Sequence, residues 1–379
     1  METIAAPATP KERIIYVDIV KALTIILVVI GHTNSPIQNF IYLFHMAVFF
    51  CVSGYFYNDS YSTNIVTLVK KRLKSLYIPF LIYEFIFLML HNLFYYLNIY
   101  SAKVSYFGEI GKLYGPIDYL KNIFFILTFH NTEQLLKPFW FLIVLFVMNI
   151  LFAMISYVAQ TYTKKYSEWT RAFLIGICFI IGMILSHFKI VLSLNTNITL
   201  VAILIYYFGD LYKRYESRIR FNMSFILLAF AFLVVNSFFV KIEMSSNEYS
   251  NPLLFVINSL VGIYFMFGIS RYLSLKKGKV LNSLLYIGLN TIPILALQLL
   301  CFKLINFLQV ILYHKPLYMT AQFLLLDGSH GWWILYTIVG VIGPLVIMYP
   351  VRKVNKLGKK VFYNYKTKFV HLNHQVTSS

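Results

Sequence analysis

The chain has 379 residues, of which 59% are hydrophobic and 12% charged, and its formal net charge is +19. Soluble proteins carry about twice that charged fraction, so the composition excludes an ordinary water-soluble protein. Apolar runs of about 18 residues or more, the length that crosses the hydrocarbon core of a bilayer, recur along the whole sequence. We therefore predict an all-α, polytopic integral membrane protein. The basic residues form short clusters between apolar runs, which indicates membrane topology rather than nucleic acid binding.

Ten apolar segments predict ten transmembrane helices with both termini in the cytoplasm. With the N-terminus placed inside, 24 of the 33 Lys and Arg residues fall on the cytoplasmic side and eight on the outer side. This asymmetry is what the positive-inside rule requires of an even number of spans. The predicted spans are 15–33, 40–58, 76–98, 138–158, 172–187, 196–212, 221–240, 252–270, 281–305 and 331–350. The eight outer residues are Lys103, Lys112, Lys121, Lys137, Lys189, Lys241, Lys303 and Lys315.

The spans divide the chain into a cytoplasmic segment 1–14, a transmembrane domain 15–350 and a basic cytoplasmic tail 351–379. The apolar run 119–130 is too short to cross a bilayer, so we predict a re-entrant or interfacial segment there. The first apolar run leads directly into a second one, and we expect no cleaved targeting peptide.

The first predicted span, "VDIVKALTIILVVIGHTN" at 17–34, carries three ionisable residues. Lys21 and His32 are eleven residues apart, so on an α-helix they share one face and are separated by about 16 Å of rise. Asp18 precedes Lys21 by three residues, the spacing at which helical side chains pair. Ionisable groups within spans normally face the protein interior or a wet cavity. A purely structural alternative stays open, in which Asp18 and Lys21 extend toward the membrane surface and His32 forms an interhelical hydrogen bond.

The same segment carries a resemblance to a known family. "DIVKALTIILVVIGH" resembles the first-span signature of the membrane acyltransferase-3 family, which is a basic residue, ten residues and a histidine. Five further segments fit in order, and the set is most similar to the fucose 4-O-acetylase-like branch. They are "FHMAVFFCVSGYFY" at 44–57, "KKRLKSLYIPFLIYEF" at 70–85, "PFWFLIVLF" at 138–146, "YYFGDLYKR" at 206–214 and "YIGLNTIPILALQLL" at 286–300. Two positions depart from the family pattern: Lys21 stands where arginine is frequent, and Gln298 where we expect histidine.

The resemblance implies an O-acetyltransferase of a bacterial inner or plasma membrane. Its donor would be cytoplasmic acetyl-CoA, and its acceptor would be a hydroxyl of a cell-surface glycan or lipid-linked sugar. Membrane lipids would surround the protein. We expect neither a nucleic acid partner nor a metal site. We expect His32 to act as general base, since an imidazole titrates near neutrality. The other candidates are Asp18, His45 and Glu84 as catalytic residues, Lys21, Arg72 and Lys74 as donor-binding residues, and Trp140, Ser53 and Gln298 as acceptor-binding residues.

Several of these side chains also have a structural interpretation. His45 would form an interhelical hydrogen bond, Glu84 would pair with a lysine, and Ser53 would be a small packing residue beside Gly54. Trp140 would anchor the chain at the membrane interface.

Two other functions remain open at this stage. The first is a polytopic transporter or flippase of lipid-linked glycans, although the sequence shows no pair of halves with Gly or Pro interruptions at matching positions. The second is an O-succinyltransferase of the same family. The sequence does not identify the acceptor sugar.

Overall fold

The computed structural model describes residues 14–104, 111–163, 166–351 and 353. The expected cytoplasmic segment 1–14 and tail 351–379 therefore lie almost entirely outside the described residues. The described chain is helical apart from one short hairpin, which confirms the all-α prediction.

Most helices follow one another closely along the chain. The α-helices are α1 (Ile15–Gly31), α2 (Gln38–Tyr42), α3 (His45–Tyr55), α4 (Ser60–Thr63), α5 (Ile65–Arg72), α6 (Ile78–Tyr96), α7 (Pro116–Leu127), α8 (Trp140–Thr163), α9 (Ser167–His187), α10 (Thr196–Tyr215), α11 (Met223–Asn236), α12 (Pro252–Ser274), α13 (Lys279–Gly288), α14 (Thr291–Leu312) and α15 (Trp332–Val351). The longest connections lie before α7, α12 and α15. A π-helical turn, Leu73–Tyr77, joins α5 to α6. Short 3₁₀ segments are Gln134–Phe139, Ser193–Asn195, Glu216–Arg218, Met244–Ser246 and Leu317–Ala321.

Seven helical stretches of the described chain are long and apolar enough to cross a membrane, and the protein is therefore polytopic. They are Ile65–Tyr96, Gln134–Thr163, Ser167–His187, Ser193–Arg218, Pro252–Ser274, Thr291–Leu312 and Trp332–Val351. The other three predicted spans correspond to shorter helices. α1 has 17 residues, α2 and α3 have 5 and 11, and α11 has 14. The ten-span topology stays a prediction.

Two details differ from the sequence-based prediction. The segment 281–305 is not one helix, because α13 ends at Gly288 and α14 begins at Thr291. α14 then continues to Leu312, so Lys303 is not in an outer loop but buried within the helix. Its Nζ donates to the carbonyls of Ala321 and Gln322, at 3.1 and 2.7 Å. The connection after α14 therefore folds back against it and supplies the acceptors that a buried ammonium needs.

α1 lies in the interior of the bundle and packs against α3, α12, α13 and α14. α3 in turn packs against α10 through two glycines. A Cβ on Gly54 would lie 1.9 Å from the carbonyl oxygen of Tyr206, and a Cβ on Gly209 would lie 2.0 Å from that of Cys51. Only glycine permits this backbone approach, and small residues are the usual means of bringing membrane helices together.

A buried ion cluster connects α9, α10 and the turn after α3. The guanidinium of Arg171 is 1% exposed and lies 3.4 Å from Asp210, 3.2 Å from Asp59 and 3.6 Å from Glu168. Arg214 contacts the same three carboxylates. The cluster explains how charged side chains are accommodated beside apolar helices, because each buried charge has an opposite partner.

Candidate active site

The polar face of α1 borders a cavity of about 200 Å³. Lys21, Ile25, Val28 and His32 all line it, and their spacing of four, three and four residues places them along one side of the helix. The cavity therefore follows α1 from the lysine to the histidine. The sequence-based prediction that these two residues share one face agrees with this arrangement.

Several further elements form the rest of the wall. α3 contributes a second stripe, the start of α8, the start of α14 and the hairpin between α11 and α12 contribute two or more residues each, and α2, the π-helical turn and the 3₁₀ segment before α8 contribute one each. The additional lining residues are Tyr42, His45, Met46, Phe49, Val52, Ser53, Leu76, Pro138, Trp140, Phe141, Leu142, Leu145, Ile242, Glu243, Met244, Ser245, Thr291, Ile292 and Leu295. Of the predicted site residues, Lys21, His32, His45, Ser53 and Trp140 thus border one cavity.

At one end of the cavity, Lys21 pairs with Asp18. Their Nζ and Oδ1 atoms are 2.6 Å apart, with the aspartate side chain 8% exposed and the lysine 25% exposed. The carboxylate does not line the cavity and fixes the ammonium from behind. The first-turn position of Asp18 also suits an acid, since the N-terminal end of a helix favours negative charge.

At the other end, Gln298 determines which nitrogen of His32 carries a proton. His32 Nδ1 lies 3.3 Å from Gln298 Oε1, and Gln298 Nε2 donates to the carbonyl of Leu295 at 3.3 Å. Because a carbonyl only accepts, the amide NH₂ must face Leu295 and the amide oxygen must face His32. The histidine therefore donates from Nδ1, which leaves the lone pair on Nε2. Gln298 is fully buried and contacts the histidine rather than the cavity.

His45 has the same tautomer by a different route. The chain leaves helical geometry at Phe44, between α2 and α3, and His45 Nδ1 lies 2.9 Å from the carbonyl of Ile41. That acceptor again places the proton on Nδ1 and the lone pair on Nε2. The ring of Tyr42 stacks on His45 with centroids 5.2 Å apart, and its hydroxyl donates to the carbonyl of Gly31. Both cavity histidines thus present a basic nitrogen.

Glu84 lies in a separate polar cluster and does not line the cavity. Its Oε2 accepts from the backbone N–H groups of Thr132 and Glu133 and from the Thr132 hydroxyl. Glu133 contacts His91 at 3.2 Å, and both are fully buried. The sequence analysis did not select His91 or Glu133. The signal that could have found them is an ionisable residue within an apolar stretch.

Arg72 and Lys74 also lie outside the cavity wall, although Leu76, on the following turn, belongs to it. Lys74 is exposed. Arg72 is half-buried, and its Nε and Nη2 atoms have no hydrogen-bond partner among the residues that the structure describes.

Sequence reasoning missed the hairpin β1 (Ile242–Glu243) and β2 (Glu248–Tyr249), which brings four residues to the cavity. No motif marks this connection, so the sequence offered no signal for it. Within the described parts of the chain, no group of three or more His, Cys, Asp or Glu residues is placed to hold a metal ion.

The comparison with protein families decides the class of protein. The family model for an acyltransferase domain matches residues 14–349, from the residue before α1 into α15. The chain belongs to the acyltransferase-3 family. This confirms the resemblance drawn from the motifs and makes the protein a multi-pass membrane O-acyltransferase. The match of the acyltransferase-3 model includes every residue of the cavity wall. No curated protein and no solved structure matches the chain significantly.

Proposed function

We propose that the protein transfers an acetyl group from cytoplasmic acetyl-CoA to a hydroxyl of a cell-surface glycan or lipid-linked sugar in a bacterial inner membrane. The observation that carries this proposal is one cavity with a lysine at one end and two histidines at the other. A thioester donor with a charged nucleotide and a thin acyl-bearing arm matches that polarity.

The donor nucleotide would bind at the Lys21 end. Asp18 holds the lysine ammonium in place, and Arg72, although its side chain lies outside the cavity wall, would add a second positive charge to attract the phosphates. Hydrogen bonds from cationic donors to phosphate are stronger than neutral ones. Exposed Lys74 adds positive charge at the entrance, where it attracts the anionic donor. With the N-terminus inside, this end of the cavity faces the cytoplasm.

The chemical step would take place at His32. Its Nε2 removes the proton from the acceptor hydroxyl as the oxygen attacks the thioester carbonyl, so a C–O bond forms and the C–S bond breaks. The departing thiolate of CoA recovers the proton from the imidazolium. Gln298 accepts from Nδ1 throughout and orients the ring. General base catalysis of this kind contributes about 10²–10⁴-fold.

The acceptor would occupy the part of the cavity bordered by His45, Tyr42 and Trp140. The indole of Trp140 offers a broad apolar face for a sugar ring. His45 Nε2 can accept a hydrogen bond from a second hydroxyl. Ser53 lines the cavity on α3 and contributes a small polar contact to the bound substrate.

The test is acetyl transfer in membranes from cells that carry this chain with its own glycan pathway. Labelled acetyl-CoA is added to wild-type, His32→Ala and Lys21→Ala membranes at matched expression, with exposed His187→Ala and Lys189→Ala as controls. We expect His32→Ala to lose at least about a hundredfold in transfer rate. Lys21→Ala should raise the KM for acetyl-CoA about tenfold, because it removes one charge-assisted contact.

Wild-type activity in His32→Ala would contradict the mechanism. Labelling from succinyl-CoA but not acetyl-CoA would correct the donor. If neither donor labels the glycan and the protein moves lipid-linked glycan across the membrane, the protein is a transporter and the acetyltransferase proposal is wrong.

A further inference from the structure

We propose that the hairpin between α11 and α12 selects the acceptor, and that Glu243 restricts it to an uncharged polyhydroxylated molecule, a neutral sugar unit. This inference rests on the proposed function and adds the class of acceptor to it. Glu243 is the only carboxylate among the described residues of the cavity wall.

The hairpin is held firmly against the bundle. Val240, Ile242 and Met244 are buried, while Glu243 and Ser245 alternate with them and are exposed. The turn is attached to α9, where the Ser186 hydroxyl donates to the carbonyl of Asn247 at 2.5 Å. Residues 242–245 thereby have a fixed position in the cavity wall.

The two carboxylates of the hairpin border different cavities. Glu243 pairs in register with Glu248 on the opposite strand. Glu243 lines the cavity that contains His32, whereas Glu248 and Lys241 line a separate cavity beside α9. In the part of the chain that the structure describes, no Lys or Arg forms an ion pair with Glu243. Its negative charge is therefore presented to whatever enters the His32 cavity.

The groups around Glu243 match a ligand rich in hydroxyls. The Ser245 hydroxyl donates to Glu243 Oε1 at 3.1 Å, which leaves Oε2 to accept from a ligand hydroxyl. A carboxylate only accepts hydrogen bonds, so it binds O–H donors and repels another carboxylate or a phosphate. Tyr42 and Trp140 on the same cavity add aromatic surface. Carboxylate, hydroxyl and aromatic face together fit a neutral sugar, and they disfavour a uronate.

The experiment compares acceptors with the same ring hydroxyls and a different charge at C6. Purified protein in detergent receives labelled acetyl-CoA with the methyl glycoside of glucuronic, galacturonic or mannuronic acid as the free carboxylate, or with the corresponding neutral uronamide, and acetylated products are measured. The variants are Glu243→Gln, which removes the charge at constant shape, and Glu248→Gln as the matched control on the facing strand. For wild type we expect kcat/KM to favour the neutral member of a pair by about tenfold or more, because the anionic member places a like charge against Glu243.

We expect Glu243→Gln to reduce that preference mainly by accepting the uronate better, with the KM for acetyl-CoA unchanged. Glu248→Gln should retain the wild-type preference. Equal use of neutral and anionic members by wild type, or an unchanged preference in Glu243→Gln, would overturn the inference while the acetyltransferase proposal stands. Absence of transfer to every member would contradict the proposed function itself.

Discussion

His32 Nδ1 lies 3.3 Å from Gln298 Oε1, and the amide nitrogen of Gln298 donates to the carbonyl of Leu295. We expect Gln298→Leu to lower kcat about ten- to a hundredfold, because the imidazolium loses a hydrogen bond that stabilises charge. The matched control is Asn258→Leu on α12, whose amide also bonds a backbone carbonyl but lies away from the cavity. Full activity in Gln298→Leu at an unchanged melting temperature would remove the positioning role of the amide.

The cavity along α1 predicts that a bulky side chain between Lys21 and His32 blocks the acyl-bearing arm of the donor. Val28 lies between Lys21 and His32 on the lining stripe, so Val28→Trp should obstruct the path of the acyl group. We expect transfer to fall by more than tenfold, while binding of CoA at the Lys21 end, measured by calorimetry, persists. Leu27→Trp is the control, since Leu27 is half-buried and does not line the cavity. Equal activity of the two variants would argue against this path.

The contact of Gly54 with Tyr206 predicts a loss of stability on a minimal substitution. In Gly54→Ala the new methyl group would lie 1.9 Å from a backbone oxygen, so α3 and α10 must separate. We expect the free energy of unfolding in detergent to fall by about 1–3 kcal/mol, the usual cost of overpacking. The control is Gly176→Ala on α9, where nothing lies within 4 Å of the added Cβ. Equal melting temperatures in the two variants would contradict the close crossing.

The ion cluster at Arg171 predicts a larger effect. Arg171→Met leaves the carboxylate of Asp210, which is 4% exposed, with Arg214 as its remaining cation in the described cluster. Removal of one partner from a buried cluster costs about 3–5 kcal/mol. Lys112→Met breaks an exposed pair with Asp118 and should cost much less, because solvent and salt screen an exposed pair. Thermal unfolding of the two variants side by side measures the difference, and similar values would show that the cluster is not stabilising.

The predicted topology is testable with two serines at opposite ends of one candidate span. Ser193 and Ser217 are exposed and belong to the stretch Ser193–Arg218. In a Cys178→Ala background, where the remaining Cys51 and Cys301 are buried, a membrane-impermeant thiol reagent should label Ser193→Cys in intact cells. Ser217→Cys should be labelled only after the cells are opened. The reverse pattern would place the N-terminus outside.

The sequence predicted those parts of the site that depend on spacing within one helix. Lys21 and His32 repeat with the period of α1, so their shared face follows from helix geometry alone. The contact of Gln298 with His32 joins residues 266 positions apart, and no local pattern contains it. The same limitation applies to Glu84: its apolar surroundings predicted that it needs a partner, but the choice of the 132–133 backbone depends on how α6 and the segment before α8 pack.

The lengths of the helices were also harder to predict than their existence. Apolar composition located α1, α3 and α11, but each is shorter than the segment predicted for it. The connection after α11 shows one reason, because Phe238, Phe239 and Val240 are apolar although they lie beyond the end of the helix. Hydropathy does not distinguish an apolar connection from a continuing helix.

The hairpin that presents Glu243 belongs to the connection between Asn236 and Pro252, whereas His32 and Lys21 belong to α1. In the function proposed above, recognition of the acceptor by Glu243 and chemistry at His32 are thus encoded by separate stretches of the gene. Insertions and substitutions in the connection would then alter which molecule is modified without disturbing the helix that carries the proposed base. Exchange of this one loop would be a route by which the same catalytic helix acquires new acceptors during evolution.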